Sequence, residues 1–261
     1  TSRYPSKYPT PRTYSLIKLD INDQLSINKA VDFILKKEKI IDVLVNNAGI
    51  GITGPGEETS IDEMKNNFDT NFFGQIRLIQ NLLPSMRKNK KGLIINISSI
   101  AGYMGLPFRG CYSASKGALN LFTESIRMEV KNFGIDILTL APGDFSTNIA
   151  SRRYHSPILD GPYKNLYKKS LTEMNRHVDQ GNNPIEVAKF IYKLINTKHP
   201  KVHYKIGDNV KNLKVGDRVA YSFSPPIGAY CEVRDFDSQR VVKLPEYISN
   251  DEAASILLQG M

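Results

Sequence analysis

The chain has 261 residues, 41% of them hydrophobic and 23% charged, enough apolar material for a sizeable core, which excludes a dominantly disordered state. The net charge is +9, but the lysines are scattered along helix-like segments, as at residues 36–39 and 88–91, without interleaved aromatics. That pattern reads as solvated helix faces and argues against a nucleic-acid surface. The longest apolar runs, residues 41–45 and 93–97, are of strand length, so no membrane span is expected. Two cysteines, Cys111 and Cys231, cannot form a disulfide framework, and the four histidines lack metal-ligand spacing. A reducing cytoplasm and no metal are expected.

In chain order, residues 14–19 form a β-rich run, and residues 25–37 carry a helical stripe of Ile27, Ala30, Val31, Ile34 and Leu35. Residues 41–45 read as a short strand. Ser60 with Glu63 makes a capping box that opens a helix expected to reach Arg87, bent by Pro84. A strand at 92–97, a helix at 114–132 and a strand at 135–140 follow. The next helix, 184–196, opens on Pro184, and a last strand lies at 202–206. Strands alternating with helices predict a parallel sheet covered on both faces. After Gly207 the texture changes to short strand-like pieces around Val219, at 228–234 and at 240–243, an antiparallel, barrel-like signal. The chain opens on Thr1 and stops within an apolar run at 257–261, so a fragment or a fusion is expected.

The chemistry concentrates at Tyr112 and Lys116, four residues apart at the start of a predicted helix and therefore on one face of it. A phenol with its ordinary pKa of about 10 is a poor acid or base at neutral pH, and an ammonium one turn away favours its ionised form. Ser99 follows the strand at 92–97, where its hydroxyl would reach a carbonyl oxygen held by Tyr112. Three further elements accompany this pair: Asn46-Asn47-Ala48-Gly49 after the strand at 41–45, Asn71 within a helix, and Pro142-Gly143 after the strand at 135–140.

Together these motifs, in order from about residue 1 to 206, resemble the short-chain dehydrogenase/reductase family. The resemblance implies a doubly wound, Rossmann-like α/β domain over residues 1–206. It implies NADP-dependent interconversion of a ketone or aldehyde and an alcohol as small-molecule substrates. Tyr112 would be the acid/base, Lys116 would assist it and hold the nicotinamide ribose, Ser99 would orient the carbonyl, and Asn71 would support a proton relay. Asp20 matches the residue at the adenine ring, and Asn47, Ala48 and Gly49 the loop beside the adenine ribose. Pro142, Gly143, Phe145 and Thr147 match the segment lining the nicotinamide. Ser2 and Arg3 match the place where NADP-preferring members hold the 2′-phosphate, and Arg suits that anion through its fork of donors. A homodimer or homotetramer is expected as well, with dimerisation through the helices at 60–87 and 114–132.

Members of the family begin with a strand, a TGxxxGxG turn and a helix whose amides hold the pyrophosphate; that unit does not precede Thr1, so the Rossmann-like sheet is expected to lack its first β-α unit and to bind NADP weakly. Residues 49–54 spell G-x-G-x-x-G, but Pro55 and Gly56 follow and the helix begins only at Ser60, so they do not replace it. With the family strand order 3-2-1-4-5-6-7, residues 14–19 are expected to close the gap by pairing in parallel with residues 41–45. Residues 207–261 resemble a different family, the GroES-like domain of medium-chain quinone oxidoreductases, through Val215-Gly216-Asp217-Arg218-Val219 and Val242-Lys243-Leu244-Pro245. Two rival readings stand beside the reductase: a catalytically impaired chimeric remnant that at most dimerises, and a quinone reductase.

Overall fold

The computed structural model describes residues 1–7, 14–147, 152–207, 219–221 and 241–243. Four parallel strands form the central sheet: β1 (Val43–Asn46), β3 (Gly92–Ile97), β4 (Ile135–Pro142) and β6 (His203–Ile206), in the order β1-β3-β4-β6. A short parallel pair, β2 (Ile52–Thr53) with β5 (Tyr154–His155), stands apart from it. The helices are α1 (Gln24–Glu38), α2 (Ile61–Phe68), α3 (Gly74–Asn89), α4 (Gly110–Val130), α5 (Lys164–Asp179) and α6 (Ile185–Ile195).

Period-two alternation along the strands assigns side chains to two layers. Ile94 and Ile137 point to one face, where Ile79 and Met86 of α3 and Ile126 and Val130 of α4 close over them. Ile95, Leu138 and Leu140 point to the other, covered by Val187, Phe190, Ile191 and Leu194 of α6. Helix α1 adds a third cluster, packing Ile27 and Val31 on Leu78 and Leu82 of α3. The expected doubly wound α/β sheet is present.

Local signals account for most boundaries. Asp23 caps α1, its carboxylate accepting from the Leu25 amide at 2.9 Å. Ser60 caps α2 by accepting from the Asp62 amide. The helix expected from Ser60 to Arg87 is interrupted elsewhere than at Pro84. Helix α3 runs through that proline to Asn89, and the break is a π-helical turn at Asp69–Phe73.

Residues 14–19 depart from expectation. Lys18 forms an isolated parallel bridge with Ser2, the Leu19 amide donates to the Ser2 carbonyl at 2.9 Å, and β1 pairs with β3 alone among the described residues. The closure onto residues 41–45 is therefore not made. The cause lies just downstream. Ile21 packs onto Gly74 at the start of α3, and Asn22 Nδ2 donates to Thr70 Oγ1 at 2.9 Å. These contacts anchor the segment to the helix layer. Beyond Gly207, β7 (Val219–Tyr221) and β8 (Val241–Lys243) pair antiparallel; the strand expected at 228–234 lies outside the described residues.

At the carboxyl ends of β1 and β3 a buried polar relay joins sheet to helix. Asn46 Nδ2 donates to Asn96 Oδ1, and Asn96 Nδ2 donates to Thr123 Oγ1 on α4, each at 2.9 Å. All three side chains are buried. Asn96→Ala removes both bonds without water to replace them and should lower unfolding free energy by about 2–3 kcal/mol in urea titration. A loss below about 0.5 kcal/mol would show that the relay does not hold the layers.

Candidate functional site

A cleft of about 1210 Å³ opens at the carboxyl ends of the strands, the usual place for ligands in an open α/β sheet. Ser99, Tyr112 and Lys116 line it together, with Asn47, Gly49, Pro142, Gly143, Phe145 and Thr147. Nine of the residues singled out from sequence thus share one wall system.

Tyr112 is the third residue of α4 and Lys116 sits one turn on, both buried. The phenol ring packs with Ile52 and Ala101. Lys116 Nζ donates to the Ile97 carbonyl at 2.8 Å, at the last residue of β3. Burial penalises its charged form and lowers its pKa from 10.5 to about 8. Ser99 caps the 3-10 turn Ile100–Tyr103, its Oγ accepting from the Ala101 amide at 3.2 Å, which fixes the hydroxyl at the cleft wall.

Asn71 lies in the π-helical turn and is completely buried. Its Oδ1 accepts from the Ile50 amide at 2.8 Å and its Nδ2 donates to the Ile50 carbonyl at 2.9 Å. Nδ2 also reaches Asn67 Oδ1 and Ser115 Oγ, and Ser115 Oγ donates to the Tyr112 carbonyl at 2.8 Å. One amide side chain therefore ties the loop after β1 to the helix carrying Tyr112. The loop is held so closely that a Cβ on Gly49 would stand 3.3 Å from Asn71 Oδ1 and 3.6 Å from Lys116 Nζ.

Five residues singled out from sequence, Ser2, Arg3, Asp20, Ala48 and Asn71, do not line the cleft. Arg3 and Asp20 face each other in a two-point ion pair, Nε to Oδ2 at 2.8 Å and Nη2 to Oδ1 at 3.0 Å. Ser2 Oγ accepts from the Tyr4 amide, and the Ala48 carbonyl accepts from Gln75 Nε2. The glycines at 49–54 address no helix N-terminus, since α2 begins at Ile61.

Arg109 and Arg153 were missed from sequence. The Arg109 guanidinium lies 5.1 Å from the centroid of the Tyr112 ring. Arg153 is 8% exposed, and its stem covers Gly51, where a Cβ would come within 2.8 Å of Arg153 Cγ. Proximity of Arg109 to Tyr112 in sequence was the one available signal; Arg153 reaches the cleft only because β5 pairs with β2.

The lining suits a nicotinamide ribose: a buried ammonium with donors beyond its single bond to Ile97, a hydroxyl at Ser99, and a loop at Gly49 with no side chain between it and Lys116. The short chain dehydrogenase family pattern matches residues 8–157. A 3-ketodihydrosphingosine reductase of Bacteroides thetaiotaomicron is 35% identical over 215 residues, spanning 82% of this chain and 79% of its own. The crystal structure of a short-chain dehydrogenase from Streptomyces avermitilis superposes with a TM-score of 0.65 at 32% identity, covering 74% of this chain and 70% of that one. ElxO with NADP bound gives 0.58 at 26% identity, over 77% and 79%. The fold, the cleft and these likenesses agree, and the chain belongs to the short-chain dehydrogenase family.

Proposed function

We propose that the chain is an NADP-dependent oxidoreductase that interconverts a ketone or aldehyde and an alcohol, with Tyr112 as the acid/base. The observation that carries this reading is the convergence of Ser99, Tyr112 and Lys116 on one wall of the cleft. When bound, the dinucleotide supplies or accepts the hydride at the substrate carbon. Ser99 Oγ orients the carbonyl oxygen. The Tyr112 hydroxyl gives its proton to that oxygen as the carbonyl becomes a C–H and an O–H, and takes it back in the oxidising direction. The charge on Lys116 favours the phenolate left behind. Asn71 acts as a positioning residue. Its side-chain polar atoms are all engaged, so a water relay past it would use the main-chain carbonyl.

NADP rather than NAD is inferred from Arg3, with support from the NADP-bound relative. The Arg3–Asp20 pair is exposed enough for a 2′-phosphate to compete for the guanidinium at small cost. Residues 1–206 form the catalytic domain in this reading, and residues 207–261 a GroES-like segment. The reading includes a soluble protein of the cytoplasm, and among the described residues no helix is long and apolar enough to cross a membrane.

Tyr112→Phe should lower NADPH oxidation against a ketone by at least about a hundredfold while leaving NADPH affinity nearly unchanged, because the phenol serves the proton step. Full turnover in that variant would overturn the assignment. Lys116 gives a second check. Between about pH 8 and 10.5 the unfolded chain holds the lysine proton that the folded chain has shed, so this group makes stability rise with pH. Unfolding free energy of the wild type minus that of Lys116→Met should increase by about 3 kcal/mol from pH 7 to 10.5. A flat difference would mean that the lysine is solvated.

Homodimerisation is part of the same reading. Leu121 and Met128 on α4 and Phe73 beside α3 are exposed apolar side chains, at 67%, 73% and 49%. Light scattering after gel filtration should give a dimer or tetramer mass, and Leu121→Lys with Met128→Lys should convert it to monomer. A wild-type monomer would remove the assembly from the reading.

A further inference from the structure

Resting on the reading of Tyr112 as the reacting group, we propose that Arg153, with Arg109, forms an anion site beside Tyr112, and that the substrate is a keto acid or hydroxy acid held by its carboxylate. Three observations carry this. Arg153 is more than nine-tenths buried, yet its Nη1 has no hydrogen-bond partner, and no carboxylate lies within ion-pair distance of its guanidinium among the described residues. A buried guanidinium left so is costly and gains most from an anionic partner. Second, Arg109 holds its guanidinium 5.1 Å from the Tyr112 ring centre and lines the same cleft as Arg153. Two cations that repel each other are thus kept beside one phenol.

The third observation is the charge of the whole lining. Among the described residues of the lining, Arg109, Lys116, Arg153, Lys169 and Arg176 face only Asp144 and Glu173, and Glu173 is already paired with Arg176. Burial first, and repulsion from Arg109 second, press the Arg153 pKa below the ordinary guanidinium value, while Tyr112, Tyr167 and Asp144 oppose that trend through space. A guanidinium fork matches the two oxygens of a carboxylate. Asp144, acting on the same cation, favours a monoanion over a doubly charged phosphate. The cleft admits this geometry only because Gly51 leaves room for the Arg153 stem.

The test uses the full chain and two probes, 4-oxopentanoate and its methyl ester, which differ in charge and share the ketone. Calorimetric titration of the wild type should give at least about tenfold tighter binding of the acid. Arg153→Gln should abolish that preference and leave ester binding unchanged, and Arg109→Gln should weaken it. Tyr112→Phe should keep the preference, since its phenol serves the proton step and not the charge. If Arg153 is only structural, acid and ester lose affinity together, and the proposal fails. It fails too if the wild type shows no preference, or if NADPH displaces the acid, which would assign the cations to the cofactor's phosphates. Acid preference without turnover of either probe would keep the anion site and remove the reductase reading; turnover of both probes alike would do the reverse.

Discussion

The grip of Asn71 on both main-chain polar groups of Ile50 is the constraint on which the cleft depends. A loop leaving a strand has amides and carbonyls to satisfy, and a buried one must find partners within the protein. Here one side chain serves the amide and the carbonyl of the same residue, so the loop cannot slide without breaking both bonds together. Everything on that side follows. Gly49 is set against Lys116, Gly51 against Arg153, and Ile52–Thr53 is presented as an edge to which Tyr154–His155 adds. The same amide reaches Ser115, so it joins the loop and the π-helical turn to the helix carrying Tyr112.

Helix continuity was legible up to that point and no further. The Ser60 cap and the apolar spacing after it are local signals, and both ends of the segment lie where they direct. The π-helical turn is not local in origin. It inserts one extra residue so that Asn71 can reach Ile50, and its advantage lies in bonds to residues 21 and 44 positions away. Pro84 carried the visible breaker signal, yet the helix continues through it. Sequence weighs the missing donor of a proline, whereas tertiary packing of Leu82 and Met86 on either side decides the outcome.

The same division applies to residues 14–19. Their β-rich composition was readable, and the parallel bridge to Ser2 agrees with it. Which edge they would join was not readable, because it turns on Ile21 and Asn22 seating against α3 and the π-helical turn. In the cleft, Ser99, Tyr112 and Lys116 were legible because each stands at a fixed offset from a strand end or a helix start. Arg153 was not, since the loop that delivers it is separated from its neighbours on Gly51 by about a hundred residues and is joined to them only through the β2–β5 pair.

The two buried cations of the cleft show how differently a fold can treat the same charge. Lys116 meets a carbonyl at the end of a central strand, and its charge is the one it can shed: burial brings its deprotonation within reach of mild alkaline pH. Arg153 has no such escape, because a guanidinium stays protonated throughout the accessible range even when burial lowers its pKa. In the proposed reading, a dischargeable cation and a permanent one in the same cleft as Tyr112 would serve two tasks. The first would follow a proton that Tyr112 gains and loses. The second would be matched by a charge that stays negative through the reaction, as a carboxylate does while the neighbouring carbonyl oxygen passes between oxidation states. On that reading a neutral substrate would leave Arg153 desolvated on every turnover, with nothing gained for the step at Tyr112.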